Sequence, residues 1–132
     1  MIAHNPAFYA VELKASGKVI GKLYLKNQDF FDSYELGYTF NRNYWGKGYA
    51  SESAKALMQY AFTELSARRI IAEADIRNTR SCRLLEKLGF RREGVFIQSA
   101  AFQTAPDGTP LFSDYCFYAM LKEEFFKCYP DH

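Results

Sequence analysis

The chain is 132 residues long and 48% apolar, with 17 basic and 15 acidic side chains that leave a formal charge of +2. That suits one compact domain, residues 1–132, with its own core, and the charge is too balanced to point to nucleic acid. Three cysteines (Cys82, Cys116, Cys128) form no CxxC pair and His4 and His132 stand at opposite ends, so no disulfide framework, metal site or histidine triad is expected.

The first residues lack a charged n-region and a long apolar h-region, and no apolar run reaches membrane-spanning length. A cytoplasmic protein without membrane contact is the expectation. Phe8 to Lys14 and Lys18 to Leu25 then read as strands joined at Ser16-Gly17, and Ser33 to Phe40 as a third antiparallel strand. Asn43-Tyr44-Trp45-Gly46-Lys47-Gly48-Tyr49-Ala50 follows as a turn with two glycines. Beyond it Ala50, Ala54, Leu57, Met58, Ala61, Phe62 and Leu65 recur at helical steps, predicting a helix to about Ser66.

A turn that opens a helix presents main-chain N–H groups without partners and the positive end of the helix dipole. Glycine at 46 and 48 removes Cβ atoms that would hold a pyrophosphate away, and permits positive φ. No Walker lysine and hydroxyl follow the glycines, and no third glycine stands at dinucleotide spacing. The motif by itself leaves a ligand-free tight turn equally open.

Arg69 to Ile76 reads as a strand that can run parallel to Ser33–Phe40 through a helical crossover. Asn78-Thr79-Arg80-Ser81 enters a second helix, with Leu84, Leu85 and Leu88 inward and Gly89 stopping it. Val95 to Phe102 and Leu111 to Leu121 form a last antiparallel pair around the polar loop 103–110, and Lys122 to Tyr129 a short helix. Arg68-Arg69 and Arg91-Arg92 read as solvated ends of elements. The fold class is α+β, a mixed, mostly antiparallel sheet with helices over it.

Four stretches occur together, in order: Glu35-Leu36-Gly37-Tyr38; Tyr44 through Glu52; Asn78-x-x-Ser81 with Leu88-Gly89-Phe90; and Asp114 with Tyr118-Ala119-Met120-Leu121. In this the chain resembles the GNAT superfamily of acetyl-CoA-dependent N-acetyltransferases over about Phe8 to Phe125. The likeness is greatest to the branch that acetylates the N-terminal alanine of ribosomal proteins. The resemblance implies a central parallel strand pair that splays. It implies acetyl-CoA as cosubstrate, its pyrophosphate on the main-chain N–H groups of Trp45, Gly46, Lys47, Gly48, Tyr49 and Ala50, and its pantetheine arm along Tyr38, Thr39 and Phe40. Asn78 and Ser81 would also contact that arm.

Acetyl transfer to an amine requires the acceptor to lose a proton, a donor for the carbonyl oxygen, and stabilisation of the departing thiolate. A backbone N–H near Phe40 is the natural oxygen donor. Glu35 is the best-placed base, although a lone strand Glu is usually solvated. Many relatives carry an acidic tyrosine where this chain has Leu85, and Asn43 replaces a longer polar side chain. Related enzymes of the ribosomal branch use the hydroxyl of Ser81 instead; that serine also suits a helix cap, and both roles stand open. Glu52 fits the helix dipole, and Cys82 is expected to face the core.

Relatives generally begin with a strand and helices that wall the acceptor site, and Met1 to Pro6 looks like the end of such a region. The hairpin and the Phe30-Phe31 pair would then be uncovered, so a homodimer is expected. The acceptor is expected to be a primary amine, either a small molecule or a protein N-terminus. The alternative is a catalytically weak acyl-CoA-binding or assembly module.

Overall fold

The computed structural model describes residues 7–28 and 31–130. Six strands form one sheet: β1 (Ala7–Glu12), β2 (Val19–Asn27), β3 (Ser33–Phe40), β4 (Arg69–Asp75), β5 (Arg91–Thr104) and β6 (Pro110–Leu121). Helix α1 (Tyr49–Thr63) links β3 to β4, α2 (Thr79–Leu88) links β4 to β5, and α3 (Lys122–Cys128) ends the fold. The strand order is β1-β2-β3-β4-β6-β5, antiparallel throughout except between β3 and β4. Among the described residues no helix is long and apolar enough to cross a membrane, and no group of His, Cys, Asp or Glu is placed to hold a metal ion.

The parallel pair is short. Ser33, Tyr34 and Glu35 match Arg69, Ile70 and Ile71, and the strands then part. Beyond Glu35, β3 stays on β2 as far as Phe40 opposite Gly21, and β4 stays on β6 as far as Asp75 opposite Tyr115. A wedge therefore opens in mid-sheet. Its main-chain edge follows from the register: Asn41 N–H bonds Ile20 C=O, so the two-residue alternation turns the peptide groups of Leu36, Tyr38 and Phe40 away from β2 and into the wedge.

The same alternation divides the side chains. Leu36, Ile70, Ala72, Cys116, Tyr118 and Met120 are buried on one face with Leu57, Met58, Phe62, Leu85 and Leu88 of the helices. Phe125 of α3 closes that core against Phe62 at 5.2 Å between ring centroids. The opposite face carries Phe8, Tyr24, Glu35, Gly37, Glu73 and Phe117, none of them buried. Tyr24 lies directly over Gly37, where an added Cβ would come within 1.7 Å of its ring.

The expected boundaries shift in places. Helix α1 stops at Thr63 because Ser66 takes a positive φ of 55° and Ala67 N–H returns to Ala61 C=O. Strand β5 starts at Arg91 rather than Val95, since Arg91 and Arg92 already pair with Ala119 and Tyr118. Its first residues, charged and loop-like in sequence, are held by a chain of ion pairs, Arg69 to Glu93, Glu93 to Arg91 and Arg91 to Glu124. Of the expected exposed aromatic pair, Phe30 lies outside the described residues, and Phe31 is 87% exposed.

Candidate functional site

A short 3₁₀ turn, Arg42–Tyr44, leads from β3 into the glycine turn. Both glycines are left-handed, Gly46 at φ 77° and Gly48 at φ 82°, a conformation that costs an L side chain roughly 1–2 kcal/mol. A Cβ at either would meet nothing within 4 Å, so the backbone angle rather than crowding within the chain requires glycine. Gly48 caps α1 without a side chain, and the first intrahelical bond is Glu52 N–H to Gly48 C=O at 3.0 Å. The N–H groups of Tyr49, Ala50 and Ser51 are therefore open to an anion.

Trp45 plays another part. Its main-chain N–H bonds Arg42 C=O at 3.1 Å, and its indole N–H bonds Phe40 C=O at 3.1 Å. The donor row thus starts after Trp45, which instead ties the turn to the end of β3. Its ring stacks near two guanidinium groups, Arg80 at 4.7 Å and Arg42 at 5.4 Å.

Between this turn, the wedge edge of β3 and helix α2 lies a cleft of about 460 Å³. Tyr38, Thr39, Phe40, Trp45, Gly46, Gly48, Tyr49, Ala50, Asn78 and Ser81 all line it; Lys47 and Glu35 do not. Thr39 contributes its position only, since its peptide groups face Lys22 of β2. Asn78 caps α2, its side-chain oxygen accepting from Ser81 N–H at 3.1 Å. The hydroxyl of Ser81 in turn meets the phenol of Tyr38 at 2.5 Å. Burial pushes the Tyr38 phenol above its ordinary pKa, with the Ser81 hydrogen bond partly opposing it.

The α2 wall also carries Arg80, Arg83 and Lys87, which sequence reasoning passed over. Their spacing, i, i+3 and i+7, was a readable signal of one helix face. None of the three enters an ion pair among the described residues. The cleft therefore joins a helix N-terminus to an opposing row of uncompensated cations, and an amide-bearing polyphosphate such as CoA fits its donors.

Glu35 faces the other side of the sheet, at the last paired position before the wedge. It lines a second cavity of about 420 Å³ with Gln28, Ser33, Arg68, Arg69, Glu73 and Phe117 among its neighbours. Burial above all, then the Glu73 carboxylate, raises its pKa, while Lys26 and a 3.3 Å bond from Gln28 pull it back. The structure thus places Glu35 and Ser81 on opposite sides of the sheet rather than in one cavity. Cys82 packs against the core, its thiol pKa raised chiefly by burial, which makes it a poor nucleophile.

At the base of α2, Arg77 clasps Asp75 at 2.9 Å and also bonds the buried Ser113, fixing the end of β4 to β6. This holds Asn78, and with it Ser81, against the wedge.

Comparison with known proteins matches these features as a set. The model of the acetyltransferase (GNAT) domain family aligns with residues 2–91. The uncharacterized N-acetyltransferase YnaD of Bacillus subtilis is 38% identical over 91% of this chain and 67% of its own length. A GNAT-family acetyltransferase structure from Bacillus anthracis superposes with a TM-score of 0.76 at 37% identity, over 88% of this chain and 66% of that one. The ribosomal-protein-S5-alanine acetyltransferase of Vibrio fischeri shares the fold, with a TM-score of 0.79 at 22% identity over 91% of this chain and 63% of that one. The chain therefore spans about two thirds of the length of these relatives. With the splayed strands, the glycine turn and the matching family model together, the chain belongs to the GNAT acetyltransferase family.

Proposed function

We propose that this protein transfers an acetyl group from acetyl-CoA to a primary amine by direct attack in a ternary complex. The observation that carries the reading is the wedge itself: one strand edge whose peptide groups turn away from β2, bounded by open helix-start donors on one side and cations on the other. The N–H groups of Gly46 to Ala50 would hold the pyrophosphate, Arg80, Arg83 and Lys87 would balance its charge, and the edge from Leu36 to Phe40 would bond the amide arm. Acetyl-CoA supplies an activated thioester. The protein's part is to position, to accept the amine's proton, and to stabilise charge on the carbonyl oxygen and sulfur.

The amine enters from the opposite face in this reading. Glu35 stands there with Glu73 nearby, and its raised pKa makes its carboxylate a better proton acceptor than an ordinary one. Phe40 N–H faces the gap between the two sides and is the candidate oxygen donor. Ser81 serves the sulfur end. Small molecules and protein N-termini both satisfy this chemistry; the Vibrio fischeri likeness, at 22% identity, is one of fold.

Exposed apolar side chains also support self-association. Phe8 is 62% exposed, and Ile97 and Phe112 of the β5–β6 arm are 76% and 58% exposed. A two-fold dimer would cover part of this surface. Light scattering at micromolar concentration is expected to report two subunits, and a monomer at all concentrations would end that part of the proposal.

Titration with CoA in a calorimeter, followed by thiol release from acetyl-CoA over a panel of primary amines, tests the whole. Binding followed by amine-dependent thiol release is expected. Binding with no release for any amine would favour the acyl-CoA-binding module, and no binding would overturn both readings.

A further inference from the structure

The hydroxyl pair at the mouth of α2 carries a further assignment. Many serines and threonines in helices return their hydroxyl to a carbonyl one turn back, as Ser53 does to Tyr49 at 2.7 Å and Thr63 does to Gln59 at 2.7 Å. Ser81 does not. It lies in the first turn of α2, its own N–H fixed by Asn78, and its hydroxyl meets Tyr38 across the wedge at 2.5 Å. Two residues from different elements, 43 positions apart, thus meet inside the cleft, where the phenol also lies 3.4 Å from the Ser81 carbonyl, a much longer contact than that to the hydroxyl.

We propose that Tyr38 is a positioning residue for the leaving-group end of the transfer: its phenol donates to Ser81 Oγ and turns the Ser81 O–H outward to the acyl-bearing sulfur. This rests on the acetyl-CoA reading given above. A phenol is the stronger donor of the two hydroxyls, and once it donates, the single Ser81 proton is free for a third partner. Hydrogen bonds in such a row strengthen one another, so Ser81 becomes a better donor than an isolated serine.

No alkoxide or phenolate forms. The carbon–nitrogen bond is made as the carbon–sulfur bond breaks, the bonding pair passes to sulfur, and the amine's proton leaves to the base on the other face. Ser81 lends a hydrogen bond to the new thiolate and keeps its proton. Burial holds Tyr38 protonated throughout, as a permanent donor must be.

The test uses Tyr38→Phe, Ser81→Ala and the double variant of the full chain. Tyr38→Phe is expected to lower kcat by about tenfold, the worth of about one hydrogen bond, with KM for acetyl-CoA little changed. The double variant is expected to be no slower than Ser81→Ala alone, because Tyr38 acts only through Ser81. A second readout needs no turnover: affinity for CoA against desulfo-CoA at about pH 9, above the ordinary thiol pKa of about 8.5. Wild type is expected to prefer CoA by severalfold, and both single variants to lose that preference. Wild-type kcat in Tyr38→Phe, multiplicative losses in the double variant, or equal weakening toward both ligands would overturn the proposal. Absence of CoA binding to the wild-type protein would instead overturn the acetyl-CoA reading on which it stands.

Discussion

The two faces of the sheet share one strand and differ in almost everything else. On the helix-covered face β3 contributes Tyr38 and Phe40 to a cleft of about 460 Å³ lined also by Arg80, Arg83 and Lys87. On the other face Glu35 lines a cavity of about 420 Å³ with Glu73 and the guanidinium-bearing Arg68 and Arg69. A period of two in one eight-residue strand thus separates the two cavities. The difference teaches that, in the proposed transfer, the two sides would meet where β3 parts from β4.

Four changes would break or sharpen this contrast. Gly48→Val is expected to reduce CoA affinity by roughly 10²–10³-fold, combining the strain of a left-handed β-branched residue with the loss of charge-assisted N–H bonds. Calorimetry reads it, and wild-type affinity in the variant would remove the phosphate role of the turn. Glu35→Gln should lower kcat/KM by about 10²-fold while leaving CoA binding intact, which places its effect on the amine side alone. Because the Glu35 carboxyl titrates above its ordinary 4.5 and must be ionised to accept a proton, activity should fall as pH drops through that raised value. A pH–rate profile of the variant lacking this limb is the check.

Arg83→Ala is a smaller perturbation, on an exposed cation with no ion-pair partner among the described residues. A severalfold loss of CoA affinity that fades with added salt is expected, since surface electrostatics are screened over about 10 Å at 0.1 M ionic strength. The smallest effect concerns the fold itself. Asp75, held by Arg77, and Glu93, held by Arg69 and Arg91, both titrate at about 2, below their ordinary 3.8 and 4.5. Their stabilisation is complete above those ordinary values and disappears as pH falls toward about 2. Thermal melting from pH 5 to pH 2 should show the decline, and Arg77→Ala should flatten the part due to Asp75.

Most of the fold could be read because its signals are local. The helical recurrence from Ala50 to Leu65, the stop at Gly89 and the strand Ser33–Phe40 each need only neighbouring residues. The start of β5 escaped because Arg91, Arg92 and Glu93 are strand residues by virtue of partners on β4, β6 and α3, which no local window contains. At the site, the glycine turn and Asn78-x-x-Ser81 were legible as motifs. The bond from Tyr38 to Ser81 was not, since it depends on how closely α2 approaches β3. The cationic row was visible in spacing alone, but only the cleft shows that it matters.

The parting strands have one more consequence, for solubility. A run of unpaired peptide groups is normally an invitation to a second chain, and sheets defend their rims against it. Here the outer strands are blunted by irregular register, β1 at Val11–Glu12 and β5 at three places around the left-handed Gln98. The run from Leu36 to Phe40 has only the Trp45 indole on its last carbonyl and sits instead in the middle of the sheet, between two strands of the same chain. A guest slender enough to enter can complete the ladder there, whereas another protein's sheet cannot bring its own edge to bear. A sticky edge thus stands ready for a narrow guest at a place better shielded from a second sheet than the perimeter would be.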